Sequence, residues 1–86
     1  MTTAEQMVAA LNEIGPHTFR DGKVVAYIDN FYANGELLMI ETISASYDDV
    51  PVDIDLPIGW AGYELVGDQT PLQLAYDLIS NKIRGL

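Results

Sequence analysis

The stretch VPVDIDLPIG, residues 50–59, alternates without a fault: Asp53 and Asp55 lie on one parity, Val50, Val52, Ile54, Leu56 and Ile58 on the other. Two carboxylates at that spacing could hold a hard cation, share a proton as an acid–base pair, or imitate a run of phosphates. The cation reading has a frame to test. Asp53, Asp55 and Glu64 fall on positions 1, 3 and 12 of a calcium loop, but the sixth position, which needs a glycine turn, is Ile58, and the fifth is Pro57. The frame fails, and no metal or other cofactor is expected. The acid–base reading fails for a different reason: carboxylates on an exposed edge stay solvated, without the burial that sets a working pair apart.

The phosphate reading has a geometric basis. Side chains at i and i+2 of a strand lie ~6.6 Å apart, close to the ~6.8 Å axial rise of two steps along one DNA strand. Asp53 and Asp55, with Asp48, Asp49 and Glu41 near them in sequence, are therefore the candidate partner-binding acidic face. Charges on an edge strand also deter edge-to-edge aggregation, and that protective role is the plainer explanation against which the phosphate reading stands.

Other catalytic apparatus is lacking. The chain has no cysteine and a single histidine, His17, just after Gly15-Pro16, where packing at a strand start is the expected role. Ser44, Ser46 and Ser80 lie in no nucleophile-elbow context, and there is no glycine-rich phosphate loop. No enzymatic activity is expected.

Thirteen Asp and Glu face four Lys and Arg, for a formal net charge of −9, and between Lys23 and Lys82 ten carboxylates occur with no basic residue at all. Such a surface repels nucleic-acid backbones and anionic membranes and attracts basic protein surfaces, chiefly by speeding encounter. No apolar run approaches the ~20 residues of a membrane span, and MTTAEQMVAALNEIG lacks the pattern of a signal peptide, so a cytoplasmic location is expected.

The elements that must position these residues follow from local grammar. Thr3 and Gln6 have capping-box spacing ahead of a Met7, Val8, Leu11, Ile14 stripe that ends at Gly15-Pro16. Near the other end, Thr70, Pro71 and Gln73 open a second helix with a stripe through Leu74, Ala75, Leu78, Ile79 and Ile83. Between them, Asp21-Gly22 and Asn34-Gly35 predict tight hairpins, the first pairing 17–20 with 23–26, the second 26–33 with 36–43. Strict alternation then assigns Phe19, Val24, Ala26, Ile28, Tyr32, Leu37, Met39 and Ile43 to the core under the helices.

The opposite face would carry Val25, Tyr27, Phe31, Leu38 and Ile40, diluted by Asp29, Glu36 and Thr42, which is too apolar for an open sheet face. Tyr27, Phe31, Leu38 and Ile40 are accordingly expected to meet a cover: the 44–66 segment, a protein partner or a second copy of the chain. Pro51 and Pro57 place residues 50–59 on an edge strand or extended connector, with the even residues inward and Asp53 and Asp55 outward. Trp60 and Tyr63 are read as anchors, with one more short strand at 63–66.

The expected fold is a single α+β domain over residues 1–86, an antiparallel sheet of three or four strands with the N- and C-terminal helices on one face, in α-β-β-β-(β)-α order. In outline this resembles the element order of double-stranded-RNA-binding domains, whose RNA-holding basic residues are missing here. The expected function is a non-enzymatic acidic protein-binding module with a basic, nucleic-acid-binding partner. In size, acidity and lack of a catalytic set, the chain looks like the small inhibitors phages use against host nucleic-acid machinery, DNA mimics and anti-CRISPR proteins among them. The alternative is a self-assembling or homodimeric component that uses the apolar sheet face.

Overall fold

Apolar periodicity switches from helical to alternating and back along this chain, and the architecture switches with it. A computed structural model describes residues 3–60, 64–65 and 67–85. Helix α1 (Thr3–Ile14) is followed by strands β1 (His17–Asp21), β2 (Val24–Asn34), β3 (Leu37–Tyr47), β4 (Val50–Val52) and β5 (Ile58–Trp60), and then by helix α2 (Pro71–Arg84). The sheet is antiparallel in the order β1-β2-β3-β4, with β5 also paired to β3. Both helices pack on one face of it, where Met7 and Leu11 of α1 and Leu74, Ala75, Ile79 and Ile83 of α2 share a core with Phe19, Val24, Ala26 and Ile28.

The α2 cap forms as its residue types dictate. The Gln73 amide donates to Thr70 Oγ1 at 3.2 Å and the Thr70 amide to Gln73 Oε1 at 2.9 Å, so two amides that would otherwise lack a helical acceptor are paired. In α1 Thr3 is already a helical residue rather than the expected cap.

Both hairpins occur, each with its glycine one place earlier in the turn than expected. The closing pairs are Asp21↔Val24 and Asn34↔Leu37, so Gly22 and Gly35, each at φ +61°, occupy the first of two turn positions, as in a type II′ turn. The slip leaves the faces unchanged, because both partners move together and the parity of the pairing is preserved.

The faces change elsewhere. Asn30, in the middle of β2, has φ +48°, and this left-handed residue turns the chain over relative to the pleat. Before it Val24, Ala26 and Ile28 are buried, and beyond it Phe31 and Ala33 pack on the core while Tyr32 is 37% exposed. Strand β3 switches in step: Leu38 and Ile40 are fully buried, Glu41 and Thr42 are both exposed, and Ile43 and Ala45 pack inward again. Pairing continues from Asp29↔Thr42 to Phe31↔Ile40 with no residue gained or lost on either strand. The even-in assignment therefore holds for the first half of the hairpin and inverts in the second, which corrects the placement of Tyr32, Leu37 and Met39. Met39 lies instead on the face away from the helices, over β5, where a Cβ on Gly59 would come within 2.9 Å of its sulfur.

The expected strand at 63–66 falls partly outside the described residues. The fifth strand lies earlier, at Ile58–Trp60, with Ile58 opposite Ile40 and Trp60 opposite Leu38.

Candidate functional site

Strand β3 is flanked by β2 on one side and, on the other, by two short strands in line. β4 covers Ala45 to Tyr47 and β5 covers Leu38 to Ile40, so the connector 53–57 passes beside residues 41–44 of β3. Residues 50–59 are thus an interrupted edge strand, in keeping with prolines that cannot donate ladder hydrogen bonds. Val52 and Ile54 pack against the core and Ile58 is buried, while Asp53 and Asp55 are exposed. The alternation relaxes at two places: Val50, expected inward, is 62% exposed and Leu56 is 42% exposed, since β4 ends before Leu56 and the chain crosses from one short strand to the next.

Asp48 and Asp49 serve the backbone first. With φ of +52° and +65° they form the two-residue turn that closes Tyr47 onto Val50, the positive-φ pair that a type I′ hairpin needs. The Asp48 amide donates to the Lys23 carbonyl at 2.9 Å, and its carboxylate lies 3.9 Å from the Lys23 ammonium in an exposed pair of little energetic weight.

Glu41 is held at the face switch. Its Oε2 accepts from Asn30 Nδ2 at 2.9 Å and its Oε1 from the Tyr32 hydroxyl at 3.0 Å, while the Asn30 amide donates to Asp29 Oδ1 at 2.7 Å. The hydrogen bond to Glu41, reinforced by the carboxylate's charge, raises the Tyr32 hydroxyl above its ordinary 10.0. Sequence reasoning did not single out Asn30 and assigned Tyr32 to the core, whereas it is exposed. The available signal was an asparagine interrupting an otherwise strand-like run, since asparagine tolerates the left-handed region better than most residues.

The five candidate carboxylates therefore do not form one cluster. Asp53 and Asp55 lie on the connector that passes beside residues 41–44, whereas Asp48 and Asp49 form the turn between β3 and β4. Among the described residues no group of three His, Cys, Asp or Glu is placed to hold a metal ion.

Basic charge meets the Asp48-Asp49 turn at one end of the sheet, where Lys23 lies beside Asp48. Arg84, in the last turn of α2 with Lys82, lies 3.3 Å from the Asp21 carboxylate and donates to the Asp21 carbonyl at 3.1 Å; Arg20 adjoins Asp21, and Lys23 is in the same turn. Arg20, Lys23 and Arg84 thus gather where β1 turns into β2.

The four apolar-face candidates separate as well. Leu38 and Ile40 are at 0% exposure in the core and Phe31 packs against it, leaving Tyr27, at 39%, as the exposed member. The expected apolar patch does not exist, because the Asn30 switch turns three of its four residues inward. His17 is a packing residue: Nδ1 donates to the Gly15 carbonyl at 2.6 Å, Nε2 accepts from the Tyr76 hydroxyl at 2.5 Å, and the Tyr76 ring stacks on Phe19 at 4.4 Å.

Compared with known proteins, the chain matches no family model, no curated protein and no solved structure.

Proposed function

We propose that this protein is a non-enzymatic, acidic protein-binding module that engages the basic surface of a nucleic-acid-binding partner through Asp53 and Asp55, with Glu41 beside them and Asp48 and Asp49 extending the negative field. The observation that carries this reading is the segregation of charge. Arg20, Lys23 and Arg84 sit at the β1–β2 end, where Lys23 pairs with Asp48, and the exposed Asp53 and Asp55 on the interrupted edge have no basic residue between positions 24 and 81 to neutralise them. Such a field speeds encounter with a cationic partner and is screened over ~8 Å at physiological salt. An inhibitor that imitates phosphates, as phage DNA mimics do, is the specific form of this function that the spacing of Asp53 and Asp55 favours. The alternative of self-assembly rested on an apolar sheet face, and Leu38 and Ile40 are in the core.

The test is capture of partners on the immobilised chain from an extract of its source cell, with and without saturating DNA or RNA. The reading expects a basic protein that nucleic acid displaces. Retention of the same proteins at saturating nucleic acid, equally by the parent and by an Asp53→Asn/Asp55→Asn variant, would contradict it.

A further inference from the structure

The sheet face away from the helices is built as a platform. On it the pairing registers set Thr18, Tyr27 and Ser44 in one row across β1, β2 and β3, with Asp29 beside Thr42 in the next row. Thr18, Tyr27, Thr42 and Ser44 are all exposed. Strands ~4.8 Å apart make this a flat, hydroxyl-bearing strip about 10 Å across, centred on one tyrosine ring.

Four carboxylates border it. Asp29 shares the parity of Tyr27 ahead of the Asn30 switch, and Glu41 is tied to Tyr32, which lies on this face beyond the switch. Asp53 and Asp55 share the parity of Pro51, which pairs with Ser46 on the open side, while Val52 and Ile54 between them pack inward. Arg20 shares the parity of Thr18 and stands opposite Val25 in the row next to Tyr27, on the side away from Asp29 and Glu41, so an incoming cation is directed toward the carboxylate side of the strip.

We propose that this face is the docking platform for an arginine-rich segment of a protein partner. The proposal rests on the acidic-module reading above and adds to it the surface and the chemistry of the occupant. A planar guanidinium stacks on a tyrosine ring and takes a carboxylate in a two-point hydrogen bond, and its remaining donors suit serine and threonine hydroxyls, whereas a lysine ammonium offers only a hydrated point charge. The platform is already ordered: its strands are paired, and Glu41 is fixed by Asn30 and Tyr32, so little side-chain freedom is lost on binding. A second copy fits poorly, because it would set one carboxylate border against another with −9 on each chain.

The test is titration of the isotopically labelled full chain with a nona-arginine peptide and, separately, a nona-lysine peptide at physiological salt, followed through backbone amide shifts. The proposal expects shifts concentrated at Thr18, Tyr27, Thr42 and Ser44, tighter binding of the arginine peptide, and a weakening of about 3- to 10-fold by Tyr27→Ala, the size of an exposed to partly desolvated cation–π contact. Ser44→Arg should abolish binding, and unchanged Leu38 and Ile40 amide signals would verify that each variant remains folded.

Equal shifts around Glu13 of α1 and Asp77 of α2, or equal affinity for both peptides with Tyr27→Ala neutral, would overturn the proposal. If Asp53→Asn/Asp55→Asn weakens binding while Tyr27→Ala and Ser44→Arg do not, the platform is wrong and the edge-carboxylate reading stands. If neither peptide shifts any amide, both are wrong. Concentration-dependent shifts of the platform amides without peptide would assign the face to a second copy and overturn the choice of partner.

Discussion

Asn30 and Glu41 face each other across the β2–β3 hairpin, the Asn30 carboxamide donating to Glu41 Oε2 at 2.9 Å, at the point where both strands exchange their inner and outer faces. The contact marks the point at which the core-facing parity changes. Upstream of it the even residues of β2 meet the helices, and downstream the odd ones do. A left-handed residue other than glycine in mid-strand is costly, and the contacts to Asp29 and Glu41 are what the structure sets against that cost.

Replacing Asn30 tests that account. Asn30→Ala removes both the tolerance of positive φ and the side-chain bond, and should cost about 1–2 kcal/mol. Asn30→Gly keeps the backbone freedom and should cost less. Thermal melts of the two variants should separate by a few degrees; coincident melts would show that the left-handed conformation contributes no strain.

Leu38→Ala should destabilise the isolated chain by about 2–5 kcal/mol, the range for truncating a buried leucine, and Phe31→Ser should also lose stability. Urea denaturation followed by circular dichroism measures both. Parent-like midpoints would return these residues to an exposed face.

The capping box at the head of α2 gives a smaller effect. Thr70→Ala should lower stability by ~1 kcal/mol, enough to reduce Tm by several degrees in a domain of this size, with partner binding unaltered. An unchanged Tm would place the helix start elsewhere.

Tyr32 and Glu41 give a pH-dependent signature. The Tyr32 hydroxyl is raised above 10.0 by its hydrogen bond to Glu41, and Tyr76 is raised by burial. For groups raised on folding, the stabilising contribution is complete below the unfolded value and is lost as pH climbs from about 10 through the folded value. Phenolate absorbance should therefore show Glu41→Gln bringing one tyrosine titration down toward the ordinary range while leaving Tyr76 where it was. Identical titration curves for variant and parent would contradict the assignment.

Much of this architecture was legible because its signals are local. Thr70, Pro71 and Gln73 specify a helix start by hydrogen-bonding chemistry alone, Gly22 and Gly35 mark hairpins because positive φ suits glycine, and Pro51 and Pro57 confine their segment to an edge. What alternation could not reveal was the turnover at Asn30, since a period of two assumes an unbroken pleat, and the misassignment of Tyr32, Leu37, Met39, Phe31, Leu38 and Ile40 follows from that one residue. The Asp48-Asp49 turn was missed for a related reason: aspartates read as charge were serving as backbone. Among the acidic candidates, the outward placement of Asp53 and Asp55 was legible because their parity is a property of the strand, whereas the backbone role of Asp48 and Asp49 depends on where β3 turns into β4.

The most direct measurement of the central claim is the affinity of the captured basic partner for the parent and for Asp53→Asn/Asp55→Asn across a series of salt concentrations, with competing nucleic acid as a second axis. If the exposed edge carboxylates face a basic groove, the variant binds more weakly with a shallower salt dependence, and DNA or RNA competes with the parent for the partner. Equal affinity and equal salt slope for the two proteins, with saturating nucleic acid leaving both complexes intact, would contradict it.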